Sequence, residues 1–192
     1  MEFGNNELIM LKAMLTNPMD DWTLESLFKE TGWDDQVHIA GAGNVLSELG
    51  YVQINEKITI FIALGFEGKN SLDVGLLESR LWSWITDQNN DEQTLSNLLS
   101  ADFTRKETGP GIGLLKGLGI EIIEGKFSYD NAEEISELIQ QREDFIKLLA
   151  NSRVKISDLD KNLVDHFSSR RGLINFEEVK SRSWKLTKKG IE

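Results

Sequence analysis

Cysteine is absent from the 192-residue sequence, and proline and histidine occur only twice each. Without cysteine there is neither a disulfide scaffold nor a thiolate metal site, and the composition points to a reducing compartment. Two prolines exclude a long Pro-rich linker and a collagen-like segment. Long hydrophobic runs are missing too. The longest, Ile58 to Phe66, is broken by Thr59 and Gly65 and covers nine residues, where a helical membrane span needs about 20. Met1 to Asn6 carries neither a basic region nor an apolar stretch, so no targeting segment is expected there. The expectation is a soluble, cytoplasmic protein. Positive charge is scarce: 21 Lys and Arg stand against 32 Asp and Glu, a net −11. That balance argues against a free-standing duplex-DNA binder, which depends on cation contacts to phosphate. What is there, 40% hydrophobic residues, suffices for a core and allows one or two domains by length.

The main signal along the chain is an internal repeat. Helices close at Gly50, Gly119 and Gly172, 69 and then 53 positions apart, and β-formers follow each time. Glycine takes the left-handed conformation that ends a helix. Before Gly50, Leu8, Leu11 and Leu15 mark one helix, Thr23 caps a second over Leu24 to Lys29, and a third runs from Asp35 to Leu49. After it the spacing predicts Tyr51 to Ile54, a turn at Asn55-Glu56, and a strand Lys57 to Leu64 with Ile58, Ile60 and Ile62 alternating. The second unit has a stripe of Leu77, Leu81, Trp84 and Ile85, a short helix capped by Thr94, a helix to Leu118, and a hairpin turning at Glu124-Gly125. In the third, Ile135, Leu138, Ile139, Phe145, Ile146 and Leu149 share a face, Ser157 caps a helix through Phe167, and a hairpin turns near Lys180-Ser181-Arg182. Three helices and a hairpin form a winged helix. The prediction is a predominantly helical α+β chain of three tandem winged-helix modules at 1–70, 71–130 and 131–192.

Several residue sets imitate chemistry. Gly109-Pro-Gly-Ile-Gly113 fits neither G-x-G-x-x-G nor the P-loop spacing, so close helix packing explains it better. His38 and His166 lie 128 positions apart and cannot alone hold zinc. Ser168, His166 and Asp165 are neighbours on one helix and do not point at one another as a triad must. Asp20-Asp21, Asp34-Asp35 and Asp130 to Glu134 sit at helix starts, where acid offsets the helix dipole. Trp82 and Trp84 are about 200° apart on a helix, so one is a candidate for a contact surface. No residue is singled out as catalytic or metal-binding.

Charge is uneven. Residues 1–150 sum to −15 and residues 151–192 to +4. The basic set is Arg170, Arg171, Lys180, Arg182, Lys185, Lys188 and Lys189. If hairpin tip and recognition helix adjoin, these are the candidate nucleic-acid-binding residues on an acidic chain.

This ending, Ser169-Arg-Arg-Gly-Leu-Ile through Lys185-Leu-Thr-Lys-Lys-Gly190, resembles the N-terminal region of the α subunit of archaeal and eukaryotic phenylalanyl-tRNA synthetases, where K-R-G-L-[IV] and L-T-x-x-G close the last winged-helix module. Gly75-Leu-Leu-Glu-Ser-Arg-Leu81 is similar to that family's G-L-P-E-x-R-[LV] junction, with Leu77 in the place of proline. Ile112-Gly-Leu-Leu-Lys116 looks like its [VI]-G-W-L-[KR] helix, with Leu114 for tryptophan, and Ala63 to Gly68 stands loosely for a first L-T-x-x-G. The resemblance implies a region that touches the tRNA elbow within an α2β2 enzyme using ATP and Mg²⁺. The family's catalytic module has no counterpart in these 192 residues, so no catalytic residue is carried over. The function expected is tRNA-Phe positioning, with the β subunit as the other partner. The rival readings are a tandem winged-helix protein-interaction adaptor and, ranked last, a DNA-binding regulator, which Asp35, Glu48 and Asp165 on the third helices oppose.

Overall fold

The computed structural model describes residues 3–192. The chain is mixed α and β, and mainly helical. A first helix set comprises α1 (Asn5–Met14), α2 (Leu24–Thr31) and α3 (Gln36–Glu48), with the short strand β1 (Trp22–Thr23) leading into α2. Side-chain chemistry sets the helix starts: Thr23 accepts from the Ser26 amide and Asp35 from the Val37 amide. Next come β2 (Val52–Leu64), α4 (Phe66–Val74), α5 (Leu77–Asp87), α6 (Leu95–Leu99), α7 (Arg105–Gly117), β3 (Glu121–Ile123) and β4 (Lys126–Ser128). The remainder is α8 (Ala132–Asn151), β5 (Val154–Lys155), a 3-10 turn at Ile156–Asp158, α9 (Lys161–Ser168), β6 (Ile174–Leu186) and α10 (Lys188–Ile191). Gly50, Gly119 and Gly172 all adopt left-handed backbone, at φ 78, 83 and 80°.

One expected hairpin is local. β3 and β4 pair across Glu124-Gly125, both at positive φ, the mirror-image turn that a two-residue hairpin requires. The turns expected at Asn55-Glu56 and at Lys180-Ser181-Arg182 do not form. Neither stretch offers a glycine, and β2 and β6 run through them as continuous strands of 13 residues. They are the central neighbours in a sheet of order β1-β6-β2-β5. β1 joins antiparallel with Trp22 opposite Trp184, and β5 antiparallel with Val154 opposite Ile62.

The two long strands repeat one pattern 122 positions apart. Each starts two residues after its left-handed glycine and buries its first, eleventh and thirteenth residues: Val52, Ile62 and Leu64, then Ile174, Trp184 and Leu186. The middles are exposed, Ile58 at 56%, so Ile58, Ile60 and Ile62 do not share a buried face. Beyond β6, Thr187 donates from its amide to Tyr51 O (3.0 Å) and from its hydroxyl to Gly50 O (2.7 Å). Beyond β2, Gly65 and Glu67 donate in the same way to Leu173 O and Gly172 O, both at 2.9 Å. Each strand thus ends at the glycine junction that precedes the other.

The chain divides into two compact units, Met1–Thr59 with Glu178–Glu192, and Ile60–Glu177. In the first, Met10, Met14, Ile39 and Leu46 pack with Trp184 and Leu186 from the far end of the sequence. The second holds two cores among the described residues. Leu81, Ile85, Leu115, Ile120 and Phe127 form one; Phe145, Ile146 and Phe167 with Ile62 and Leu64 form the other. The buried face of α1 is Met10, Ala13 and Met14, while Leu8 and Leu15 are exposed. Asp160, not Ser157, caps the helix before Gly172, accepting from the Asn162 and Leu163 amides. Trp82 and Trp84 both belong to the α5 core, Trp82 donating to Ser136 Oγ at 3.0 Å.

Candidate nucleic-acid interface

α5 starts just after Gly75, itself at φ 85°. Glu78, the second residue of α5, is fully buried. Its Oε1 accepts from Arg170 Nη1 at 2.6 Å, with Arg142 Nη1 and His166 Nε2 at 3.5 and 3.4 Å. Burial pushes the Glu78 carboxyl up, but the His166 hydrogen bond and the Arg170 guanidinium outweigh it and hold it at about 2. Burial pulls the Arg142 guanidinium below its ordinary value, against the charge of Glu78. Two residues on, Arg80 pairs with Glu107, whose carboxylate also accepts from the Thr104 amide that opens α7. Arg80 chiefly, and then Thr104, hold Glu107 at about 2. Leu81 is buried under α7, where a Cβ on Gly111 would come within 2.5 Å of its Cδ1. The Gly75 to Leu81 motif is therefore a structural joint.

The seven cations named from sequence have different fates. Arg170 is committed to Glu78, with its side chain 19% exposed. Arg171 is exposed, has no carboxylate partner among the described residues, and lines a cavity of about 580 Å³ with Lys106, Asn70 and Ser71. That cavity lies wholly in the Ile60–Glu177 unit, and Glu67 and Asp73 also line it. Lys180, Arg182, Lys185, Lys188 and Lys189 belong to the other unit. There Arg182 pairs with Glu56 (2.6 Å) and Lys185 with Asp21 (3.5 Å), while Lys180 and Lys188 are exposed. Lys189 donates to Leu49 O at 2.8 Å and lies 4.3 Å from the Tyr51 ring centroid. Lys106 was not foreseen, since nothing in its local sequence marks it.

Ser168, His166 and Asp165 point apart: His166 turns to Glu78, and the Ser168 hydroxyl donates to the Asp165 carbonyl. Among the described residues no three His, Asp or Glu cluster as metal ligands would. No described helix is long and apolar enough to cross a membrane.

The arrangement is that of a mainly helical α+β chain with a buried ion cluster and exposed cations. The chain is similar over its whole length to phenylalanine–tRNA ligase α subunits, 28% identical to that of Methanococcus maripaludis strain C5 and 24% to that of Methanococcus vannielii. It spans 37% of the length of these relatives. No family model matches it.

Proposed function

We propose that these residues form the tRNA-binding region of a phenylalanine–tRNA ligase α subunit and position tRNA-Phe for the remainder of the enzyme. The observation that carries the reading is the similarity to such α subunits across the whole chain. On this reading the helix sets are winged-helix modules at 1–70, 71–130 and 131–192. The second owns a hairpin, and the first and third draw on β2 and β6. ATP, Mg²⁺ and a β subunit in an α2β2 assembly belong to the whole enzyme, and none of these residues is assigned to them.

Positioning needs sequence-independent contacts to phosphate and ribose. Arg171 and Lys106 supply them in one unit, and Lys188 and Lys189 in the other. Lys185 holds an exposed ion pair with Asp21, worth about 1 kcal/mol or less, for which a phosphate can compete. Arg170 acts at one remove by fixing the helix end that carries Arg171. Charging of tRNA-Phe by the whole enzyme tests the role. Removing residues 1–192 is expected to raise KM for tRNA by about tenfold or more, and unchanged KM and kcat would overturn it. In filter binding, Arg171→Glu with Lys106→Glu should weaken tRNA binding and flatten its salt dependence.

A further inference from the structure

The first unit carries a groove that the tRNA reading leaves unused. It has a volume of about 850 Å³ and lies between the start of α3 and the exposed middles of β2 and β6. Its apolar lining is Leu24, Val37, Ala40, Ile58 and the largely buried Trp184. Val37 is 66% and Ile58 56% exposed, high for two branched aliphatic side chains facing one hollow. Val37, Gly41 and Val45 follow one another at four-residue spacing along the solvent side of α3, with open space above Gly41. A facing helix could seat closely along such a line.

Charge at the groove opposes that of the chain. Lys57 and Lys180 line it with no carboxylate partner among the described residues, and Arg182 is balanced by Glu56. The lining therefore carries a net +2 on a molecule of net −11. α3 itself has no Lys or Arg and ends in Glu48. A helix that tracked phosphates would need cations along its exposed side, so nucleic acid is the wrong occupant for this surface. We propose that the groove docks an acidic amphipathic helix of a partner protein, its apolar stripe on Val37, Ala40 and Ile58 and its carboxylates at Lys57 and Lys180.

The test uses the full 192-residue chain and a fluorescein-labelled 18-residue helical peptide with leucine on one face and glutamate on the other. Its control is the same peptide with lysine for glutamate. Anisotropy titration should show the glutamate peptide binding at least tenfold tighter, with affinity falling as salt rises. Val37→Glu and Ile58→Glu, both exposed and so compatible with folding, should each weaken it at least tenfold. Lys57→Glu with Lys180→Glu should do the same. Val74→Glu, exposed in the other unit, should leave it unchanged. Equal binding of the two peptides, or indifference to Val37→Glu and Ile58→Glu, overturns the proposal. So does a concentration-dependent dimer abolished by Val37→Glu, which gives the groove to a second copy. The filter-binding affinity for tRNA should be the same in Val37→Glu and the unaltered chain, which separates this site from the proposed tRNA contacts. Competition of tRNA with the peptide would assign the groove to nucleic acid and overturn it.

Discussion

Glu78 shows how one side chain can decide the fate of three others. Its carboxylate, on α5, is buried against Arg142 of α8, His166 of α9 and Arg170 just beyond α9. Glu78→Ala leaves two guanidinium groups largely buried without their counter-charge, an expected loss of about 3–5 kcal/mol. The urea midpoint should fall accordingly, and Glu78→Gln should cost less because it keeps a hydrogen-bond acceptor. The pH dependence has a definite sign. The folded carboxyl is held at about 2 against 4.5 for the free group, so its contribution is full above pH 4.5 and is lost as pH falls toward 2. That contribution is about 3 kcal/mol, with more than half gone by about pH 3. Thermal denaturation of the unaltered chain and of Glu78→Gln should show a stability gap at pH 7 that narrows at pH 3. A gap that stayed constant would remove Glu78 from acid unfolding.

At the scale of elements, most of the helices are legible in the sequence, whereas the long strands β2 and β6 and the short β1 and β5 are not. Capping by Thr23, Asp35 and Thr94, and the left-handed glycines at 50, 119 and 172, are local chemistry. A helix closes its hydrogen bonds within itself, so local signals locate it. A strand takes its partner from elsewhere, and Asn55-Glu56 reads as a turn only while β6 is unknown. α4 is not legible either: no side chain caps it and it buries only Gly68, so it leaves no stripe to read. The basic residues are legible as a set, but Glu78, Glu56 and Asp21, the partners of Arg170, Arg182 and Lys185, are 92, 126 and 164 positions away and beyond any local pattern. The L-T-x-x-G ending does have a physical meaning. Thr187 ties the strand end to Gly50 and Tyr51, and a Cβ on Gly190 would fall 2.2 Å from Tyr51 O. Gly190→Val should therefore destabilise the first unit by roughly 1–3 kcal/mol. Gly41→Ala meets nothing within 4 Å on a helix interior and should stabilise by about 0.5–1 kcal/mol. Denaturant midpoints of the two variants should move in opposite directions.

For the molecule as a whole, the net charge of −11 joins regions of opposite character. Arg182 and Lys185 answer Glu56 and Asp21 inside one unit, so part of the basic ending neutralises the acidic beginning. Removing residues 178–192 strips Trp184 and Leu186 from the α1–α3 core. Hydrogen exchange should then show α1, α2 and α3 unprotected while α5, α7 and the β3–β4 hairpin keep their protection. Protection retained in α1–α3 would mean that this core closes without β6. The placement of β6 also gives the molecule a timetable. A ribosome making about 5–20 residues per second releases α1–α3 long before the strand that completes their core. For roughly 6–25 seconds the nascent first unit has its apolar faces on three helices and no strand to cover them, so a chaperone would meet it in that interval. The unit begun first closes only after the other has been made.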